Sequence, residues 1–512
     1  MAQEKVDRSD GLGILYFWIR IFAHVPRIWL REILMIDFIR GLFFNYFKKI
    51  MDKQMMTRKE FPDQVQRDKH SMMMSMFHVA VNTMKNAKTK HVKRQRIQMF
   101  LDLFLTRVPQ IEGYKEKYGT YPPGFLVIGI GKFCNLKCTG CFANSDADAC
   151  EKLEWDVLDK IITQKKELWG SRFTVITGGE PLLYRSQGKD LFDLAEKHSD
   201  QLFVFFTNGT LITQKVVDRL NELGNISPAI SVEGYEKETD GRRGKGVYAK
   251  IQKAMKLLKD NGVGFGISVT AINSNADMLG EDDIWNHYFD TIGVDYAWMF
   301  QYMPIGREKT LEMLVNPKQR LKLFKTVKRL MEEKDYFIGD FWSSGTCVEG
   351  CISAGRYGGY LYIDWNGNVA PCAFNPYSPI NIYDAFKEGK TLNDVVQAPF
   401  FKAIRDWQAD YGLTRPKDKI GNWITCCPSK DNYKDLRPII DKYKPMPLDE
   451  AAAEALEDDA YKEGLIQHGK DLDEVFDKVW QDEYLASCSG ECGSCATEHA
   501  DAKKTPVTSS SN

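Results

Sequence analysis

Twelve cysteines in 512 residues fall into groups, and the grouping is the first sign of chemistry. Cys134, Cys138 and Cys141 form a CxxxCxxC run. Three thiolates at that spacing can each take one iron of a [4Fe–4S] cube, leaving the fourth iron without a local ligand. An iron with an open position can be chelated by a bound cofactor or substrate. The competing reading is a zinc knuckle, which wants a fourth Cys or His close by. Cys150 is the only local candidate and reads as a structural thiol, while His91 and His198 are remote in sequence.

The next strand ends in Thr177-Gly178-Gly179-Glu180-Pro181. Two glycines let a ligand approach the backbone closely, and Glu180 puts a carboxylate at the strand end, able to hold an ammonium group. Alone, a Gly-Gly turn says little. One β/α unit after the three-cysteine loop, it completes a signature.

On these two motifs, the chain resembles the radical S-adenosylmethionine (radical SAM) superfamily from about Pro122 to Met303. The resemblance implies that Gly178, Gly179, Glu180 and Pro181 serve S-adenosylmethionine (SAM), with Asn208 in a TNG run (Thr207-Asn208-Gly209). It also places Ser231 toward the ribose, Glu233 at the acidic position that follows, and Arg243 at the cofactor carboxylate. A solvated loop at Arg242 and Arg243 is the plainer alternative. The sequence departs from the family just before the third cysteine, where an aromatic is common: here stands Gly140, followed by Phe142. The implied cofactors are a SAM-binding [4Fe–4S] cluster and SAM itself, and the implied electron donor is a ferredoxin or flavodoxin.

Further on, Cys351, Gly367 and Cys372 resemble the start of the SPASM or twitch auxiliary-cluster module found behind many such barrels. Its later cysteine run is absent, and only Cys426 and Cys427 remain, with Cys347 upstream. One auxiliary [4Fe–4S] cluster is expected, on Cys351, Cys372 and some of Cys347, Cys426 and Cys427, set against buried structural thiols. The tail run Cys488, Cys492 and Cys495 repeats the first spacing; another cluster, a zinc ion and a mobile tail all fit it.

The elements that must position these residues are strands at 125–130, 173–177, 202–207, 229–234, 265–271 and 296–303, separated by helical stretches such as 155–168 and 248–261. This is an α/β class protein: six repeats predict a partial (β/α)6 TIM-type barrel, with its chemistry on loops at the C-terminal strand ends. Tyr302 and Arg307 follow the sixth strand at that end, where Tyr302 could relay a hydrogen atom, though packing is the commoner role for such a tyrosine. The expected organisation is a basic amphipathic helical region (1–120), the core barrel (121–310), the auxiliary cluster domain (311–445) and an acidic helix with a Cys-containing tail (446–512).

Net charge is −1 and no basic excess points to nucleic acid, but residues 1–120 hold 22 Lys and Arg against 12 Asp and Glu. Residues 11–50 are apolar and aromatic, with Trp18, Phe22, Trp29, Ile33, Phe38, Phe43 and Phe44 at helical spacing and arginines between them. That pattern predicts amphipathic helices on a membrane surface rather than a span, or helices packed on the barrel. No signal peptide opens the chain and the cysteines cluster, so the expected place is the cytoplasm, peripheral to the inner membrane face. The leading expectation is hydrogen abstraction from a membrane lipid; the others are a peptide or protein maturase and, least favoured, a non-enzymatic iron–sulfur electron carrier.

Overall fold

In the computed structural model, which describes residues 27–55, 60–104 and 109–486, the expected alternation builds a parallel sheet. Its strands are β1 (Phe125–Gly129), β2 (Phe173–Thr177), β3 (Leu202–Thr207), β4 (Ile226–Val232), β5 (Gly266–Ala271) and β6 (Tyr296–Gln301), paired in chain order. Two more parallel strands join beyond the six expected: β7 (Ile338–Asp340) beside β6 and β8 (Tyr360–Ile363) beside β1. A short antiparallel strand, β9 (Asn368–Ala370), follows β8, so the hairpin leading to Cys372 is continuous with the barrel sheet. Among the described residues β7 and β8 do not pair, which leaves a partial barrel open on one side.

Strand alternation sorts side chains onto two faces. Leu126, Ile128, Ile176, Phe205, Ile230 and Ile267 pack outward into the large core beneath the helices. Val127, Val175, Tyr360 and Tyr362, with half-buried Phe125, Phe173 and Phe206, face the lumen instead. Cores of complete barrels are filled by layers of side chains. Here Phe125, Phe173, Phe206, Trp298, Phe300, Phe341 and Phe374 are aromatic and all keep partial exposure.

The apolar N-terminal region divides into two surfaces. Its helices are α1 (Arg27–Leu34), α2 (Asp37–Met55), α3 (Asp63–Asn86) and α4 (Lys90–Phe104). Leu30, Leu34 and Phe44 close on Phe77, Ile97, Phe100 and Leu101, a small core of their own. Trp29, Ile36, Phe38 and Leu42 remain outside it, between 54% and 76% exposed. Helix α3 ties this unit to the barrel: Met72 and Val79 pack with Val204, Ala229, Tyr296 and Phe337 around the lumen-facing side. The expected positions Trp18 and Phe22 lie outside the described residues, as do Cys488, Cys492 and Cys495.

Behind β2, helix α5 (Trp155–Trp169) buries Leu158, Ile161, Ile162 and Trp169 and ends at Gly170, whose φ of 64° is the left-handed cap glycine favours. Its Lys165 is also buried, with Nζ donating to the carbonyls of Ser171 and Phe173 and to Oε1 of Gln201. Burial pulls this ammonium down from 10.5 to about 7. The unfolded chain therefore binds the extra proton between those values, and stability rises with pH from about 7 toward 10.5. In urea melts over that window Lys165→Met is expected to flatten the rise; an unchanged slope would mean that other groups cause it.

Candidate active site

The three-cysteine loop follows β1 at its C-terminal end, and neighbouring backbone and arginines hold its shape. Arg307 donates from its guanidinium to the carbonyls of Cys138 (2.9 Å) and Ser145 (2.7 Å), while its amide donates to the carbonyl of Cys141. Arg242 donates to the carbonyls of Thr139 and Gly140 from the opposite side. Gly140 sits at φ 63°, and a β-carbon there would stand 2.9 Å from the Tyr302 ring. The ring of Tyr302 thus fills the space beside the missing aromatic, and its hydroxyl donates to the Glu308 carbonyl at 2.6 Å. Tyr302 is buried in this position. Cys150 is exposed, so it is no buried structural thiol.

Gly178 and Gly179 are close-approach glycines, and the group approaching them is the chain itself. A β-carbon on Gly178 would meet the Gly131 carbonyl oxygen at 2.3 Å, and one on Gly179 the Phe133 carbonyl oxygen at 2.1 Å. The Gly179 amide donates to Gly131 and the Glu180 amide to Phe133, pinning the segment that enters Cys134. Gly179→Ala must push that segment away; iron loading at the first site is expected to fall severalfold with the fold retained by circular dichroism, and full loading would show that the strap is dispensable.

Glu180 does not stand free at the strand end. Its carboxylate accepts from Thr207 Oγ1 (2.8 Å) and from the amides of Asn208 (2.8 Å) and Leu182 (3.2 Å). Burial lifts it to about 7, against those hydrogen bonds and the charge of Arg243. An arriving ammonium would add positive charge beside it. Pro181 opens the short turn Pro181–Leu183. Asn208 bridges outward, donating to Asn135 Oδ1 at 2.8 Å and reaching Cys134 Sγ at 3.8 Å.

Arg242 and Arg243 are not a solvated loop. Glu233, 1% exposed, accepts from both guanidiniums, at 2.5 Å from Arg242 and 2.8 Å from Arg243 Nε, while its other oxygen accepts from the Thr270 amide. Burial opposes the Arg243 charge, but Glu233 and the Cys138 and Cys141 sulfurs more than restore it. Ser231 lies on β4 with its hydroxyl 3.0 Å from that of Ser268 on β5. Burial lifts the Cys134 thiol to about 11, although the Leu136 amide donates to its sulfur.

A second thiol group forms where the β8–β9 hairpin meets the 420s loop. Cys351, Cys372, Cys426 and Cys427 each influence another's ionisation, and burial drives Cys426 and Cys427 well up. Gly345 makes room: a β-carbon there would lie 2.6 Å from Cys426 Sγ. Cys347 does not join them. It faces helix α3, its thiol donating to the Asp68 carbonyl at 3.5 Å beside Lys328 and Lys69. Nothing in the amino-acid pattern signals the buried cations around the quartet. Arg356 donates to the Cys351 carbonyl and feels Cys426; Arg320 is held by Asp431 at 2.7 and 2.9 Å; Lys430 lies beside Cys427.

Both thiol groups fit iron–sulfur clusters chemically. Sulfur-directed N–H groups and Arg243 at the first, and three buried cations at the second, are what thiolate-bound clusters require in a low-dielectric interior. Among the described residues no three Cys, His, Asp or Glu converge on a single metal ion. Clusters ask less of the free side chains, because each thiolate takes its own iron.

Comparison with known proteins agrees with this geometry. Residues 128–281 match the model of the Radical SAM superfamily. The core is a radical SAM domain. The sporulation killing factor maturation protein SkfB of Bacillus subtilis is 29% identical over 166 residues, 32% of this chain and 39% of SkfB. An AdoMet-dependent heme synthase of Methanosarcina barkeri is 28% identical over 315 residues, 56% of this chain and 86% of that protein. The antilisterial bacteriocin subtilosin biosynthesis protein AlbA of Bacillus subtilis is 28% identical over 287 residues, 54% of this chain and 59% of AlbA. The chain thus spans well under half of SkfB's length. Members of that superfamily use a [4Fe–4S] cluster and SAM, and the residues of this site fit both.

Proposed function

We propose that this radical SAM enzyme abstracts hydrogen from an apolar, chain-like substrate drawn from an anionic membrane surface. The supporting observation is the aromatic packing of the lumen-facing side: seven half-buried rings, Phe125, Phe173, Phe206, Trp298, Phe300, Phe341 and Phe374, gather there. Rings of Phe142, Phe374 and Trp342 continue this packing from the first thiol loop toward the second, with centroids 5.7 and 4.8 Å apart. The exposed edge of Trp29, Ile36, Phe38 and Leu42, with exposed Lys48 and Lys49 on the same helix pair, suits a headgroup layer. No helix among the described residues is long and apolar enough to cross a membrane.

In this reading Cys134, Cys138 and Cys141 hold the SAM cluster, and Cys351, Cys372, Cys426 and Cys427 the auxiliary one. Glu180, with Gly178, Gly179 and Pro181 shaping its loop, receives the SAM ammonium; Arg243, braced by Glu233, faces its carboxylate; Asn208 and Ser231 complete the pocket. A cluster held there would, once reduced, supply the one electron that cleavage of SAM to methionine and a hydrogen-abstracting 5′-deoxyadenosyl radical consumes. The protein's part is to orient both partners and exclude water. A ferredoxin or flavodoxin suits the external donor.

A peptide substrate is the second reading, favoured by the names of SkfB and AlbA as a maturation and a bacteriocin biosynthesis protein. Reduced enzyme with SAM is incubated with phosphatidylglycerol vesicles or with apolar peptides, and 5′-deoxyadenosine and substrate mass are followed. Stimulation and a mass change on the lipid, with vesicle flotation lost in Trp29→Ser/Phe38→Ser, support the lipid. Stimulation by peptide alone, or flotation unchanged by the double variant, overturns it.

A further inference from the structure

The turn between α3 and α4 carries positive charge that the chain does not pair. It reads Lys85-Asn86-Ala87-Lys88-Thr89-Lys90, and all three lysines are exposed. Lys93 and Arg94, just beyond, are taken up by Asp37 at 2.8 Å and Glu32 at 2.9 Å, but among the described residues none of the three lysines forms an ion pair. Those two ion pairs fix where the lysines stand. Asp37 lies between Ile36 and Phe38 at the start of α2, and Glu32 is one turn from Trp29 in α1. Helix α2 runs antiparallel to α3, with the Phe44 and Phe77 rings 5.3 Å apart and His70 on Asp52 at 2.7 Å, so α3 ends level with the start of α2. The lysine turn therefore borders the exposed row of Trp29, Ile36, Phe38 and Leu42.

The same turn shows which way the barrel faces. Lys88 lies over Gly262, where a β-carbon would stand 2.5 Å from its Cγ, and Arg96 donates to the Gly262 carbonyl at 3.4 Å. Gly224 packs likewise on Gln95. Gly224 precedes β4 and Gly262 precedes β5, so both mark N-terminal strand ends, whereas the Cys134–Cys141 loop follows β1 at the opposite end. Aliphatic Ile36 and Leu42 offer a nucleic acid nothing to stack on, but an acyl boundary takes them together with the rings while ammonium groups meet lipid phosphates. We propose that Lys85, Lys88 and Lys90, with the apolar row beside them, form one docking face for a bilayer of anionic phospholipid, on which the protein sits with its N-terminal strand ends toward the lipid and its thiol loops away. This pose rests on the membrane association proposed above and adds to it the residues that read charge. In it α3, whose Met72 and Val79 pack on the lumen-facing side, stands between bilayer and lumen.

Flotation of the full chain with phosphatidylcholine vesicles, with and without phosphatidylglycerol, tests the charge contact. A lysine near an anionic surface is worth about fivefold in partitioning, so Lys85→Gln/Lys88→Gln/Lys90→Gln is expected to weaken binding to the anionic vesicles about a hundredfold at low salt. Rising salt should narrow that gap. Binding within about twofold of wild type overturns the lysine contact and leaves the proposed membrane association standing; wild type that floats with neither vesicle overturns both. Hydrogen exchange on the vesicle-bound protein tests the pose: amides of residues 29–42 and 85–94 gain protection, and those of 134–146 keep their free rates. Protection of the thiol loop without protection of the lysine turn overturns the orientation. Lysine-dependent binding of poly(U), with flotation indifferent to the lysines, assigns the turn to nucleic acid and overturns the docking face.

Discussion

Cys138→Ala is expected to abolish 5′-deoxyadenosine formation from SAM under reducing conditions, a loss of at least about a thousandfold, as for removal of any group the chemistry cannot do without. The reason is local. Cys138 lies in a loop whose carbonyls are gripped by Arg307 and Arg242, so the loop keeps its path when the thiol is lost. The second thiol group is built from other segments, so bound iron should fall by about four per chain rather than to zero. Iron and sulfide analysis beside the deoxyadenosine assay checks both halves. Persistent deoxyadenosine would take this loop out of the reaction.

Asp431→Asn is expected to cost about 3–5 kcal/mol in stability, the usual penalty for breaking a fully buried ion pair from one side. Asp431 and Arg320 are both 0% exposed at the side chain, and Arg320 also donates to the carbonyls of Ile424 and Trp342. Removing the carboxylate leaves Arg320 and Lys430 as two like charges in one dry space, beside Cys427. Denaturant melts of wild type and variant measure the loss. Replacing the pair together, with Arg320→Met/Asp431→Leu, should recover much of it, because buried ion pairs often yield to well-packed apolar side chains with little change. An Asp431→Asn melt within 0.5 kcal/mol of wild type, roughly the range of an ordinary surface change, would contradict the burial argument.

The chemistry-bearing residues were legible where the sequence keeps them together. Cys134, Cys138 and Cys141 are local in the chain, and the GGEP loop lies one β/α unit away, so pattern alone could bring them into one site. The six barrel strands were legible too, since β2 and β3 carry runs of Val, Ile and Phe between clear breaks. β7 is three residues long and β8 sits among glycines, so neither shows enough periodicity to be placed in the sheet. Cys347 misleads for the opposite reason. Four positions from Cys351, it reads as a partner, but the helical turn Gly345–Val348 and the left-handed Glu349 turn it toward Asp68. Arg320, Arg356 and Lys430 could not be read at all, because nothing in a lone basic residue tells that folding will bury it beside sulfur.

The N-terminal aromatics show what amphipathic spacing can and cannot decide. Phe43 and Phe44 share the seam with Trp29 and Phe38 in the sequence pattern. Packing separates them: Phe44 lies between Phe77 and Phe100, with ring centroids 5.3 and 5.1 Å away, whereas Phe38 stays exposed. Periodicity identifies an apolar face but not what covers it.

The most direct test of the central claim is to reconstitute the full chain anaerobically with iron and sulfide, reduce it, add SAM and measure 5′-deoxyadenosine beside bound iron. Two filled thiol groups predict about eight irons per chain and steady deoxyadenosine release. Colourless protein that binds no iron, or iron-loaded protein that leaves SAM intact, would contradict it.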